Sequence, residues 1–84
     1  MSQLPKRRLT ADDEGAEFRV VIEQLDNGQW QAAARVQVQS KSHVETQSMG
    51  IELFPGEAKA REWVKRAAVA RGFRKLKLNV RRLG

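Results

Sequence analysis

The chain has no cysteine and no tyrosine, and it has a single histidine, His43. Without cysteine it can form no disulfide, no thiolate nucleophile and no zinc site built on cysteine ligands. His43 has no second histidine with which to build a metal site, so we expect a surface histidine. No segment matches a phosphate-cradling loop, a nucleophile elbow or an HExxH helix. We therefore predict a protein that is not an enzyme, with no catalytic residues, no metal, no cofactor and no small-molecule substrate.

Long apolar runs are missing as well. No segment approaches the ~18–20 apolar residues of a transmembrane helix, and the N-terminus has no hydrophobic signal-peptide region. These absences predict no membrane partner and a cytoplasmic location. The 84 residues suffice for one domain with one small core, which would bury roughly 60–65% of the surface of the unfolded chain.

Charge is unevenly distributed along the chain. Residues 1–54 hold six Lys or Arg against eight Asp or Glu, a net charge of −2. Residues 55–84 hold ten Lys or Arg against two Glu, a net charge of +8. This asymmetry indicates an anionic partner for the C-terminal part, with nucleic acid as the first candidate. The alternative is a charged surface that keeps the protein soluble.

Residues 55–73 predict one amphipathic helix. Its apolar residues recur at helical spacing and form a single stripe, made of Ala60, Trp63, Val64, Ala67 and Ala68. Pro55 suits the first helical position, and Gly72 can take the left-handed conformation that ends a helix. Phe73 is expected to fold back as the accompanying apolar contact. Trp63 is expected to pack in the core rather than stack on a ligand.

Two segments before the helix alternate between apolar and polar residues, 17–25 and 30–39, and predict strands with one wet face. A two-residue Asn27-Gly28 loop would place apolar beside polar residues on both faces. A three-residue loop at 26–28 instead pairs apolar with apolar: Ile22 with Ala32, Val20 with Ala34, and Phe18 with Val36. We therefore predict the three-residue loop, with Gly28 as its left-handed residue.

Residues 43–54 predict a third strand whose polar first half fits a sheet edge. Its alternation changes phase along the apolar residues Val44, Met49, Ile51 and Leu53, and a bulge near 48–50 would reconcile them. Residues 74–83 predict a fourth strand. The order β-β-β-α-β indicates an α+β domain, a mostly antiparallel four-stranded sheet with one helix on one face. A right-handed crossover would place the fourth strand beside the first and parallel to it, in the order 3-2-1-4.

The N-terminal residues 1–16 have no apolar periodicity. They carry a basic KRR run at 6–8 and an acidic DDE run at 12–14. We predict a disordered tail over residues 1–16 and a single domain over residues 17–84. The basic run is a candidate arm for phosphate, although the neighbouring acids partly neutralise it.

Strand parity predicts which side chains face away from the helix. That face should display Arg19, Gln31, Arg35, Gln37, Gln39, Lys75, Lys77, Asn79 and Arg81. Arg and Gln can read the edges of guanine and adenine, and strands can enter a groove. The predicted nucleic-acid-binding residues are Arg19, Arg35, Lys75, Lys77 and Arg81, followed by Lys65 and Arg66 on the helix. The alternative is that these are ordinary exposed residues of strands.

The five aromatic residues all fall on apolar positions or next to the helix ends, which favours a duplex over a single strand as the ligand. A three-stranded sheet plus helix resembles the duplex-DNA-binding domains of integrase-arm type. The β-β-β-α-β order, with Glu57 and Ala58 opening the helix, resembles the HicB class of antitoxins. The first resemblance implies a nucleic-acid binder and the second a protein-partner module. From the charge of residues 55–84 we predict weak binding of a DNA or RNA duplex. A protein partner or a second copy would instead contact the polar edge at 43–48 or the weak apolar patch of Val21 and Ala33.

Overall fold

The computed structural model describes residues 8–39 and 42–83. Its elements are β1 (Glu17–Gln24), β2 (Trp30–Gln39), β3 (Val44–Phe54), α1 (Glu57–Ala70) and β4 (Leu76–Arg81). The strands form one four-stranded sheet in the order β3-β2-β1-β4. β2 is antiparallel to β1 and β3, whereas β4 is parallel to β1. The predicted α+β fold and the predicted place of the fourth strand are confirmed.

The loop between β1 and β2 sets the register of the sheet. Gly28 has a φ of 86°, and its N–H donates to the carbonyl of Leu25 at 2.9 Å, while the Leu25 N–H donates to the carbonyl of Gln29 at 2.7 Å. This three-residue loop produces the register that parity predicted: Phe18 with Val36, Val20 with Ala34, and Ile22 with Ala32. The positive φ explains the glycine, because side chains are disfavoured there.

The core lies between one face of the sheet and α1. β1 and β2 contribute alternate residues, which include Phe18, Ile22 and Val36, each at most 1% exposed. The helix contributes Ala60, Val64 and Ala68, all buried. Ala32 and Ala34 are also buried in this layer, and their small side chains let the helix lie close to the sheet. Trp63 packs against the core with its ring 5.7 Å from that of Phe54, as predicted.

The helix begins later than predicted. Gly56 is the N-cap residue in an extended conformation, and its carbonyl accepts the first helical hydrogen bond from the Ala60 N–H at 3.2 Å. Pro55 therefore lies outside the helix, and the prediction that it takes the first helical position is wrong. The chain is still extended at Gly56, so the helical geometry starts only at Glu57.

The C-terminal end of α1 follows the prediction. Gly72 has a φ of 78° and donates its N–H to the carbonyl of Val69 at 3.0 Å, and the Phe73 N–H donates to the carbonyl of Ala68 at 2.9 Å. These two bonds close the last turn and satisfy carbonyls that the helix leaves without partners. The Phe73 ring stacks on Phe18 of β1 with 5.2 Å between centroids, so this apolar contact is made with the sheet.

β3 contains the predicted bulge. Ala34 pairs with Gly50 and Arg35 pairs with Ser48, so Met49 is the extra residue. Met49 packs against the core. Ile51 and Leu53 do not join it there: they are 63% and 55% exposed. The bulge does bring Val44, Ile51 and Leu53 to one face, as predicted, because their partners on β2 are Gln39, Ala33 and Gln31. That face is the one away from α1.

The packed chain starts earlier than predicted. Leu9 is 4% exposed and belongs to the core, and its N–H donates to Oε1 of Gln47 at 2.8 Å. Residues 10–16 follow through two turns, with Asp13 N–H donating to Thr10 O and Ala16 N–H to Asp13 O. The structure thus differs from the predicted disordered tail over residues 8–16, because Leu9 covers apolar core beside Phe73 and Met49. The KRR run starts within residues 1–7, which lie outside the described residues.

Candidate nucleic-acid interface

The face of the sheet opposite α1, which we call the outer face, carries a row of three cations. Arg19 of β1 pairs with Arg35 of β2 and lies beside Lys77 of β4. Residues paired across strands point to the same side of a sheet, so the three side chains form what we call the basic row. Adjacent strands lie about 4.8 Å apart, and the row therefore spans about 10 Å between its end Cα atoms.

Lys75 and Arg81 extend this positive surface along the fourth strand. Arg81 pairs with Glu23 in the parallel register, and alternation puts it on the same side as Lys77. Lys75 precedes β4, where its carbonyl accepts the Phe18 N–H at 2.9 Å. Lys75, Lys77 and Arg81 are all exposed. The structure therefore brings together five of the seven predicted residues.

Lys65 and Arg66 lie elsewhere. Both are exposed on α1, which covers the opposite face of the sheet, and Arg66 is paired with Glu62 on the same helix. A rigid duplex on the outer face cannot touch them at the same time. They are cations of a separate surface.

Two carboxylates also lie on the outer face, because Glu17 pairs with Gln37 and Glu23 pairs with Gln31. The Glu17 Oε1 is 2.6 Å from the Arg19 Nε, and the Arg19 Nη1 donates to Oε1 of Gln37 at 3.0 Å. Arg19 is thus held in place with part of its charge compensated. The two acids were missing from the predicted surface, although they share the parity of Arg19 and could have been found from it.

The outer face also carries an apolar patch, which we call the outer patch. It consists of Val21, Ala33, Ile51 and Leu53. Val21 pairs with Ala33, Ala33 pairs with Ile51, and Leu53 follows beside Gln31. The prediction included only the first two. The side that Ile51 and Leu53 take follows from Phe54. Phe54 pairs with Trp30 on the core side, so its neighbour Leu53 points to the outer face.

Two cations of the basic C-terminal part, Arg61 and Arg82, form hydrogen bonds with Glu57 at the start of α1. The carboxylate of Glu57 accepts hydrogen bonds from Arg61 Nε at 2.7 Å and from Arg82 at 2.7 and 2.9 Å. The bonds from Arg82 first, and from Arg61 second, hold the pKa of Glu57 below its ordinary value. The +8 of residues 55–84 is therefore not one surface, because part of it is compensated beside the first turn of α1.

Within residues 8–39 and 42–83, no group of three or more His, Asp or Glu residues is placed to hold a metal ion. His43 contacts Ser42 and Glu45 on the exposed edge of the sheet. None of the described helices has the length and hydropathy needed to cross a bilayer.

Comparisons with protein-family models, with curated proteins and with solved structures found no match to this chain.

Proposed function

We propose that this chain is a small non-enzymatic domain that binds duplex nucleic acid weakly, through the outer face of its sheet. The observation that carries the proposal is the basic row of Arg35, Arg19 and Lys77 across three adjacent strands. Lys and Arg side chains neutralise phosphates and release the counterions condensed on them, which supplies most non-specific affinity. The cytoplasmic location expected from the sequence belongs to the same proposal.

A duplex suits this surface better than a single strand. Modules that read single strands stack unpaired bases on exposed aromatic rings. All five aromatic residues of this chain lie in the core or pack against it: Phe18, Trp30, Phe54, Trp63 and Phe73. The outer face offers cations and glutamines instead. Such groups contact the phosphates and base edges that a duplex presents without unstacking.

The salt dependence of binding tests this proposal. With four phosphates neutralised, log K should fall against log salt with a slope of about −3.6, from a dissociation constant of about 10⁻⁴–10⁻⁶ M at physiological salt. Between about 50 and 200 mM salt this slope corresponds to a loss of about 150-fold in affinity. The measurement is fluorescence anisotropy of a labelled DNA duplex titrated with the protein. An affinity that does not change with salt, or no binding at about 50 mM, would overturn the proposal.

One observation favours a second function, a module that binds a protein partner or a second copy. β3 forms an edge of the sheet, and Val44, Ile51 and Leu53 are more than half exposed on it. An edge strand presents backbone N–H and C=O groups to which another strand can pair. Light scattering over a concentration series distinguishes the self-assembling form. A rise of the mass toward a dimer favours it, whereas a constant monomer mass removes it.

A further inference from the structure

We propose that the outer patch contacts the C5-methyl groups of thymine in the major groove of B-form DNA, so that the domain prefers thymine-containing DNA to the same duplex with uracil. This inference rests on the proposed function and specifies its ligand. Three members of the patch occupy one row across three strands, because Ile51 pairs with Ala33 and Ala33 with Val21. The row is about as long as the basic row, about 10 Å between its end Cα atoms.

The cations around the outer patch decide what can cover it. Along β1 and β2 the basic row is two residues from the patch, or about 6.8 Å. Arg81 lies on the other side of the patch, in the row of Gln31 and Glu23. A second copy stacked face to face would oppose two faces of the same net sign, because each carries five cations against the carboxylates of Glu17 and Glu23. A polyanion is attracted by the same excess of positive charge, although Glu17 and Glu23 are charges of the opposite sign on this face.

The size of the outer patch also favours DNA over a protein partner. Ile51 and Leu53 are 63% and 55% exposed, while Val21 and Ala33 are half-buried. Together the four side chains expose on the order of 300 Å², against about 800 Å² per partner in a stable protein interface. The patch is therefore too small to hold a protein partner by apolar contact alone. It is large enough to cover one or two methyl groups.

The groups on the outer face match the chemistry of the major groove. Each thymine presents a methyl group there, and adenine presents a donor and an acceptor that a glutamine can bind together. Gln31 lies beside Leu53 on the outer face, whereas Oε1 of Gln37 already accepts a hydrogen bond from Arg19. The major groove of B-form DNA is about 12 Å wide and admits a two-stranded ribbon, and the two most exposed residues of the patch, Ile51 and Leu53, lie on the edge strand β3. The major groove of an RNA duplex is deep and narrow, and uracil has no methyl group.

The test uses three duplexes of one sequence: DNA with thymine, the same DNA with deoxyuridine at every thymine, and RNA. We expect the deoxyuridine duplex to bind about three- to fourfold more weakly for each contacted methyl group, with the same salt slope, and the RNA to bind more weakly still. Ile51→Thr combined with Leu53→Gln should abolish the difference between the two DNA duplexes. Both side chains are exposed, so the fold should be retained, which circular dichroism confirms.

The control variant is Val69→Thr, a similar change at a residue that is 78% exposed on α1. It should preserve the preference for thymine. Equal affinity of the wild type for both DNA duplexes, with a normal salt slope, would overturn this inference and leave the proposed function standing. Tighter binding of RNA than of DNA would also overturn it. Failure of all three duplexes to bind would instead overturn the proposed function, and the inference with it.

Discussion

Replacing Lys75 and Lys77 together with glutamate is expected to abolish detectable binding of a DNA duplex. Each phosphate contact contributes about 0.9 to the salt slope, so losing two of them at about 0.1 M salt lowers the affinity about 60-fold before any repulsion is counted. The two new carboxylates lie beside Glu17 and Arg19 on the outer face and repel the phosphates as well. Anisotropy titrations with a labelled duplex measure the loss, and thermal melting shows that the fold is intact, because both lysines are exposed.

The matched control is Lys65→Glu combined with Arg66→Glu. It changes the net charge by the same amount, but on α1, across the sheet from the outer face. This variant should keep the salt slope of the wild type and lose only a few-fold in affinity, through the long-range field. If both double variants lose binding equally, the interaction depends on net charge alone and the outer face is not the site. If only the helix variant loses binding, the site is on the helix.

The largest effect on stability is expected from Phe18→Ala. Phe18 is 1% exposed, lies in β1 between β2 and β4, and stacks on Phe73 at 5.2 Å. Truncating a buried phenylalanine typically costs about 3–5 kcal/mol. A domain of this length is stabilised by only about 4–13 kcal/mol, so the variant is expected to be marginally folded or unfolded. Urea denaturation followed by circular dichroism measures the change.

Val69→Ala is the control for that prediction, because Val69 is 78% exposed. An exposed substitution of this kind should change the free energy of unfolding by no more than about 0.5 kcal/mol. A loss of less than about 1 kcal/mol in the free energy of unfolding of Phe18→Ala would contradict the described core. Truncating a phenylalanine that is buried in the sheet and stacked on Phe73 should destabilise the fold by more than this.

The fold of β1 and β2 could be predicted because both strands keep every second residue apolar, although Val21 and Ala33 fall on the other face. With two such strands, a loop one residue shorter would place Val20 beside Arg35 instead of Ala34, so only one register joins the apolar faces. The helix was equally predictable, since its apolar stripe indicates which face is buried and Gly72 indicates where the helix ends. Its start was not, because Pro55 fits the first helical position and the position before the cap almost equally well.

β3 and the N-terminal segment show where sequence patterns were insufficient. The bulge at Met49 shifts the alternation by one residue, and the sequence pattern did not show which face Ile51 and Leu53 would take. Their true face depends on the pairing of Phe54 with Trp30, which is a tertiary contact. Leu9 is a single apolar residue in a polar stretch, without any periodicity to mark it. Its burial depends on the space that the folded domain leaves at one corner.

The cations of the candidate site could be predicted from the sequence, but the side-chain contacts that compensate them could not. Alternation alone placed Arg19, Arg35 and Lys77 on one face, as the structure has them. The compensation of Arg19 by Glu17 and Gln37 depends on side-chain conformations that alternation does not specify.

The central claim, that the outer face binds a duplex, is tested most directly by NMR with a short DNA duplex at low salt. The protein supplies matched methyl probes: Ile51 and Leu53 are exposed on the outer face, and Val69 is exposed on α1 across the sheet. We predict that the methyl signals of Ile51 and Leu53 shift in proportion to the duplex added, together with the backbone amides of residues 74–82, while the methyl signals of Val69 stay in place. Shifts at Val69 without shifts at Ile51 and Leu53, or no shift in residues 74–82, would contradict it.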